Sequence, residues 1–76
     1  MNRVYFLRSC AEQFHALPRH VKPVARGLIT WTSWIADEST EDAFIQVKHA
    51  LSEPGLTLHF AVVDGMLVCV EILYQA

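Results

Sequence analysis

The sequence predicts an α+β fold: a small antiparallel sheet of about three strands packed against helices, in the order β-α-α-α-β-β. Three observations predict it. Leu56 to Tyr74 forms two runs of β-branched, aliphatic and aromatic residues on either side of Asp64-Gly65, a strong short-range hairpin signal. Residues 21–35 repeat apolar side chains at helical spacing. A short apolar run near the start, Arg3 to Arg8 (RVYFLR), supplies a further strand. A hairpin needs that strand, because two strands alone are marginal in water.

Taken in order, Val4 and Phe6 of the first strand share one face, and Tyr5 and Leu7 share the other. Ser9 or Cys10 opens a short helix that runs to about Leu17, with Cys10, Phe14 and Leu17 as its apolar stripe and Glu12 in its first turn. Leu17-Pro18 ends it, since the residue before proline is pushed out of the helical region. A second helix starts near Lys22, because Pro23 belongs in a first turn, and continues to Trp34 or Ile35. Its stripe is Val21, Val24, Ala25, Leu28, Thr32 and Ile35, widened by Trp31. Ala36 to Thr40 is an acidic link. Ser39 or Thr40 caps a third helix with Phe44, Val47, Ala50 and Leu51 along one side, stopped by Pro54-Gly55.

A two-residue turn at Asp64-Gly65 pairs Val63 with Met66, Ala61 with Val68, His59 with Val70 and Thr57 with Ile72, all on one face. Leu56, Leu58, Phe60, Val62, Leu67, Cys69, Glu71 and Leu73 occupy the other. Neither face is clearly polar, whereas a sheet with one wet face alternates. Both faces therefore call for cover, and a chain of 76 residues is short for supplying both itself. This points to a partner or a dimer.

Composition agrees. Hydrophobic residues make up 53% and charged residues 18%, against about 25% charged in an ordinary domain, which excludes a disordered chain. No repeat, low-complexity tract or dividing linker is present, so residues 1–76 read as one domain. The charge is uneven. Residues 1–30 carry Arg3, Arg8, Arg19, Lys22 and Arg26 against Glu12, net +4, while residues 31–76 carry Lys48 against seven carboxylates, net −6. A basic half suits an acidic partner or RNA; uneven surface charge in a short chain is the plainer account. Cys10 and Cys69 match no metal or redox spacing and read as buried free thiols in preference to a disulfide. No apolar run approaches the roughly 20 residues that span a bilayer, and none has signal-peptide form, so no membrane association and a cytoplasmic location are expected.

No phosphate loop, metalloprotease helix or paired-cysteine knuckle occurs, and no cofactor is expected. His15, His20, His49 and His59 show no ligand spacing on a common helix, so no metal site is expected. His59, mid-strand among apolar neighbours, is a candidate general base, since an imidazole exchanges protons near neutrality; a hydrogen-bonded interface histidine is the plainer reading. Glu71 falls beside Leu58 on the opposite face, where a lone carboxylate is costly. Trp31 and Trp34 have the rings to stack on bases, but their amphipathic spacing makes core or interface packing the better reading.

VYFLRSCAEQFHALPRHVKPVARGLITW and TLHFAVVDGMLVCVEIL resemble the opening strand, Leu-Pro-terminated helix, amphipathic helix and late hairpin of the RelE/ParE superfamily of toxin–antitoxin toxins. The resemblance implies ribosome-dependent mRNA cleavage or gyrase inhibition, and neutralisation by an antitoxin peptide. Two positions depart from it. Thr57 stands where the family's nucleases tend to have arginine, and Phe60 where they tend to have tyrosine. Loss of the guanidinium removes transition-state charge stabilisation, which leaves enzymatic activity open. Tyr74 is the remaining candidate for the family's terminal tyrosine.

The sequence thus supports a RelE/ParE-like toxin, or a degenerate relative, that binds RNA, the ribosome or a protein target and is neutralised by an antitoxin-like peptide. Arg19, Lys22 and Arg26 are the candidate RNA or partner contacts. The alternative is a non-enzymatic homodimeric interaction module with His59, Ala61, Val68 and Val70 at its interface.

Overall fold

The computed structural model describes residues 4–36, 42–50 and 55–75. The elements are β1 (Val4–Phe6), α1 (Arg8–His15), α2 (Lys22–Ala36), β2 (Ala43–Ala50), β3 (Gly55–Val63) and β4 (Met66–Tyr74). The class is α+β, with four strands where about three were expected. They form one mixed sheet in the order β1-β4-β3-β2, in which β1 runs parallel to β4 and the other pairs are antiparallel.

The extra strand is β2, which replaces the expected third helix. Phe44 and Val47 fit a helical stripe, but Ile45 and Val47 also alternate with Gln46 and Lys48 at period two. The alternation prevails because eight consecutive residues of β2 pair with β3, and β-branched side chains suit a pleated surface. The expected caps Ser39 and Thr40, residues 37–40 of the acidic link, Leu51 and Pro54 lie outside the described residues, and Ala36, expected to open that link, is the last residue of α2.

The hairpin forms at Asp64-Gly65. Asp64 (φ 51°) and Gly65 (φ 75°) both take positive φ, as a type I′ turn requires. The Asp64 N–H donates to Asp42 Oδ1 at 3.1 Å, tying the turn to the start of β2. From Val63↔Met66 to Phe60↔Cys69 the register is regular, and then it shifts: His59 pairs with Glu71 and Thr57 with Leu73. Val70 is the extra residue of a β-bulge. The expected pairs His59–Val70 and Thr57–Ile72 are therefore corrected. Because side chains alternate faces, one added residue exchanges every later one. Ile72 is buried in the core, while Leu73 is 45% exposed. Glu71 leaves the core face and stands across from His59, which removes the cost of a buried lone carboxylate. Leu73→Asn is accordingly expected to cost less than about 1 kcal/mol in urea unfolding. A loss of roughly 3 kcal/mol or more would restore the unbulged register.

Both helices pack on the face formed by Leu56, Leu58, Phe60, Val62, Leu67, Cys69 and Ile72. α2 is turned relative to the expected stripe. Val21, Ala25, Ile29, Thr32, Ser33 and Ala36 are buried, whereas Trp31 and Ile35 are exposed. Small side chains let the helix lie close to the sheet. Their hydroxyls are satisfied within the helix, Thr32 Oγ1 donating to the Leu28 carbonyl and Ser33 Oγ to that of Thr30, each at 2.7 Å, so burying them is inexpensive. α1 begins at Arg8, which places Glu12 in its second turn, 3.7 Å from Arg8 Nε.

α1 is joined to β4 at three points. The Leu7 N–H donates to the Cys69 carbonyl at 3.2 Å, and the Ile72 N–H donates to Gln13 Oε1 at 2.8 Å. Cys10 and Cys69, both fully buried, form a disulfide. The expectation of free thiols is corrected: the parallel β1–β4 pairing and the short turn into α1 bring together two cysteines 59 residues apart.

Candidate binding surfaces

The second face of the sheet has no helix over it among the described residues. Cross-strand register builds it in rows. Tyr5, Val68, Ala61 and Phe44 lie opposite one another across all four strands. The next row holds Glu71, His59 and Gln46, and the one after it Leu73, Thr57 and Lys48. Phe44 is 89% exposed, an unusual state for so large an apolar side chain on a strand. An open depression of about 320 Å³ is bounded by Phe44, Gln46, His59, Val70 and Glu71, among others. It offers an aromatic face, an amide, an imidazole and a carboxylate. Among the described residues this face carries no arginine.

The structure separates the residues singled out from the sequence. His59, Ala61, Val68 and Val70 are together on the open face or at its bulge. Arg19, Lys22 and Arg26 belong to the helical layer on the other side, Arg19 in the turn before α2 and the other two on α2. Tyr74 packs against the core cluster on the helical side, away from His59, so these two candidates do not meet. Thr57 is half-buried in the open-face row with Lys48, while Phe60 is fully buried in the core. Residues three apart in a strand face opposite ways, so Phe60 does not share a surface with Thr57.

A second surface runs along α2 and is one the sequence reading did not assemble. A depression of about 380 Å³ lies between β1, α1 and α2, lined by Phe6, Phe14, Arg26 and Ile29 among others. A shallower one of about 550 Å³ continues over Pro23, Arg26, Gly27, Thr30, Trp31 and Trp34. The Arg26 guanidinium carbon sits 5.8 Å from the Phe14 ring centre, within cation–π range. Trp31 and Trp34 are 57% and 66% exposed. Their three-residue spacing was the available signal; the rotation of α2 that turns them outward was not.

Among the described residues, no cluster of three or more His, Cys, Asp or Glu side chains is placed to hold a metal ion, and no helix is long and apolar enough to cross a membrane.

Two helices on one face of a four-stranded mixed sheet, closed by a terminal hairpin, give the chain a RelE-like fold. It is similar to a chain in the crystal structure of the intact E. coli RelBE toxin–antitoxin complex, with a TM-score of 0.76 over 100% of this chain and 99% of that one. Sequence identity is 11%, so the likeness is one of fold. No protein-family model matches the sequence, and no curated protein sequence matches it.

Proposed function

We propose that the chain is a RelE-like protein of the toxin–antitoxin type that acts by binding its target and is neutralised by an antitoxin-like peptide. One observation carries the reading: the fold spans the whole chain yet leaves two apolar surfaces uncovered among the described residues, more than an isolated small domain ordinarily exposes. Binding is favoured over strand cleavage because the open face pairs His59 with Glu71 but, among the described residues, has no guanidinium to stabilise a pentavalent phosphate. RNA or the ribosome is the target this reading takes, with Arg19, Lys22 and Arg26 as phosphate contacts.

Induced expression is expected to arrest bacterial growth, and alanine at Arg19, Lys22 and Arg26 together to relieve the arrest at equal soluble protein. For RNA binding in vitro, the slope of log K against log salt should fall by roughly 0.7 to 0.9 per contact removed. Unimpeded growth with abundant wild-type protein would overturn the toxin reading.

The row Tyr5–Val68–Ala61–Phe44 favours a second reading, a homodimer joined through the open sheet face. It requires a stable dimer and no growth arrest.

A further inference from the structure

The segment made of β1 and α1, Val4–His15, is fastened to the rest of the molecule mainly through β4. β1 is an edge strand of three residues. It pairs Val4 with Leu67, Tyr5 with Val68 and Phe6 with Cys69. Beyond it, the Leu7 N–H reaches the Cys69 carbonyl, and Gln13 Oε1 accepts from the Ile72 N–H. α1 has little to hold it as a helix by itself. Its eight residues fall short of the length at which an isolated helix persists in water. Leu7, at its N-cap, makes no side-chain cap bond, and no acidic residue occupies its first turn. The Arg8–Glu12 pair lies within the helix and is exposed, so it fixes nothing to the sheet. The rest of the sheet keeps its pairing without this segment. β4 pairs with β3 and β3 with β2 along their lengths, and three antiparallel strands packed against a helix make a viable unit.

We propose that the Cys10–Cys69 bond is a redox latch on this segment: a dithiol, or a thiol of the glutathione class, opens it and lets Val4–His15 lift from β4 while β2, β3, β4 and α2 stay folded. Cys69 is fixed in its strand between Phe6 on one side and Phe60 on the other, so the movement falls on the Cys10 side. Both cysteines are fully buried, and the reductant enters by the peeling of β1, the short edge strand that covers them. Weakly held elements of this kind open before the global fold does. A reductant thiolate attacks one sulfur, the Cys10–Cys69 bond breaks as a mixed disulfide forms, and a second reductant thiolate displaces it. Two electrons and two protons pass to the chain, which is left with two thiols, and the reductant departs as its own disulfide. Oxidised glutathione runs the sequence backwards and seats the segment again.

The latch controls a surface. Phe6, Ala11, Phe14 and His15 of the segment form one side of the 380 Å³ depression whose other side is α2. Phe14 also seats the Arg26 guanidinium. Both arrangements exist only with the latch closed, while the open face of the sheet is the same in either state. The inference concerns the chain by itself and does not depend on the toxin–antitoxin reading.

Amide spectra of the full chain, oxidised and in excess dithiothreitol, test it together with alkylation by iodoacetamide, counted by mass across a urea series kept below the unfolding midpoint. In the reduced chain the signals of residues 4–15 should broaden or move toward random-coil positions, and those of β2, β3 and α2 should hold. Both thiols should alkylate at a rate that low urea leaves nearly unchanged, because a local opening exposes little surface. Mixtures of reduced and oxidised glutathione should interconvert the two forms reversibly. Gln13→Ala, which removes one of the segment's ties, should speed reduction roughly five-fold. Reduction or alkylation that rises with urea in step with global unfolding overturns the proposal and makes the bond a staple of the whole fold. A reduced spectrum collapsed throughout has the same meaning. A reduced spectrum identical to the oxidised one, with both thiols still protected, or a bond that glutathione leaves closed, also overturns it. The growth assay moves none of these readouts, so the latch and the toxin reading stand or fall separately.

Discussion

Replacing Cys10 and Cys69 together by alanine is expected to cost about 4 kcal/mol of stability. Cross-linking residues 59 apart removes a large share of the unfolded chain's freedom, and the benefit grows with the logarithm of the loop. A domain of this size holds roughly 5–10 kcal/mol in total, so the double variant should approach half-unfolding under mild denaturant. The bond also holds α1 against β4 beside two hydrogen bonds, from Leu7 and to Gln13. Those bonds alone fix the helix less firmly, and α1 should become the first element to exchange its amides. Urea unfolding of the wild type with and without a dithiol reductant makes the test. The reduced wild type should fall close to the double variant. Curves that reductant does not move would mean that the thiols are free.

Phe60→Ala is expected to cost about 3–5 kcal/mol. Phe60 is fully buried in β3, an interior strand, and its neighbours in register are Cys69 and Ile45. Truncation leaves a cavity between the sheet and the helices that surrounding β-strand backbone is too constrained to fill. Phe44→Ala should by contrast leave stability nearly unchanged, because that side chain is 89% exposed. The contrast between two phenylalanines on paired strands checks the assignment of the two faces by thermal melting. A large loss at Phe44, or a small one at Phe60, would reverse it.

Much of the fold was legible because its signals are local. Asp64-Gly65 specifies its turn through backbone conformations that few residue pairs tolerate. Pro23 fixes the start of α2 through its missing N–H. Three features were not legible, each for a physical reason. The bulge at Val70 lies in Val68-Cys69-Val70-Glu71-Ile72-Leu73, where neighbouring side chains are almost equally apolar and either parity looks plausible. Glu71 alone marked the conflict, and core packing resolved it. β2 was ambiguous because Phe44 and Val47 satisfy a helical period while Ile45 and Val47 satisfy a strand period. Only the pairing with β3 distinguishes them. The disulfide depends on a parallel β1–β4 contact that no local pattern encodes.

The candidate surfaces divide in the same way. His59, Ala61 and Val68 were recognisable as one face, because hairpin pairing near the turn is nearly fixed by the turn itself. The α2 groove was not, since it depends on the helix turning small residues such as Ser33 and Ala36 inward and the tryptophans outward. Arg19, Lys22 and Arg26 are grouped in the sequence by their charge and by lying on or just before the second helix. The fold keeps them in the helical layer, on the opposite side of the sheet from His59, which is why they and His59 do not form a single site.

On the function proposed above, the uncovered apolar surfaces take a different polypeptide and not a second copy of this chain. Light scattering of the purified protein across a dilution series tests it most directly. A particle of 8.6 kDa is expected at low concentration, with association only as concentration rises. A particle of twice that mass, unchanged by dilution, would contradict it and make the homodimer the better account of the open sheet.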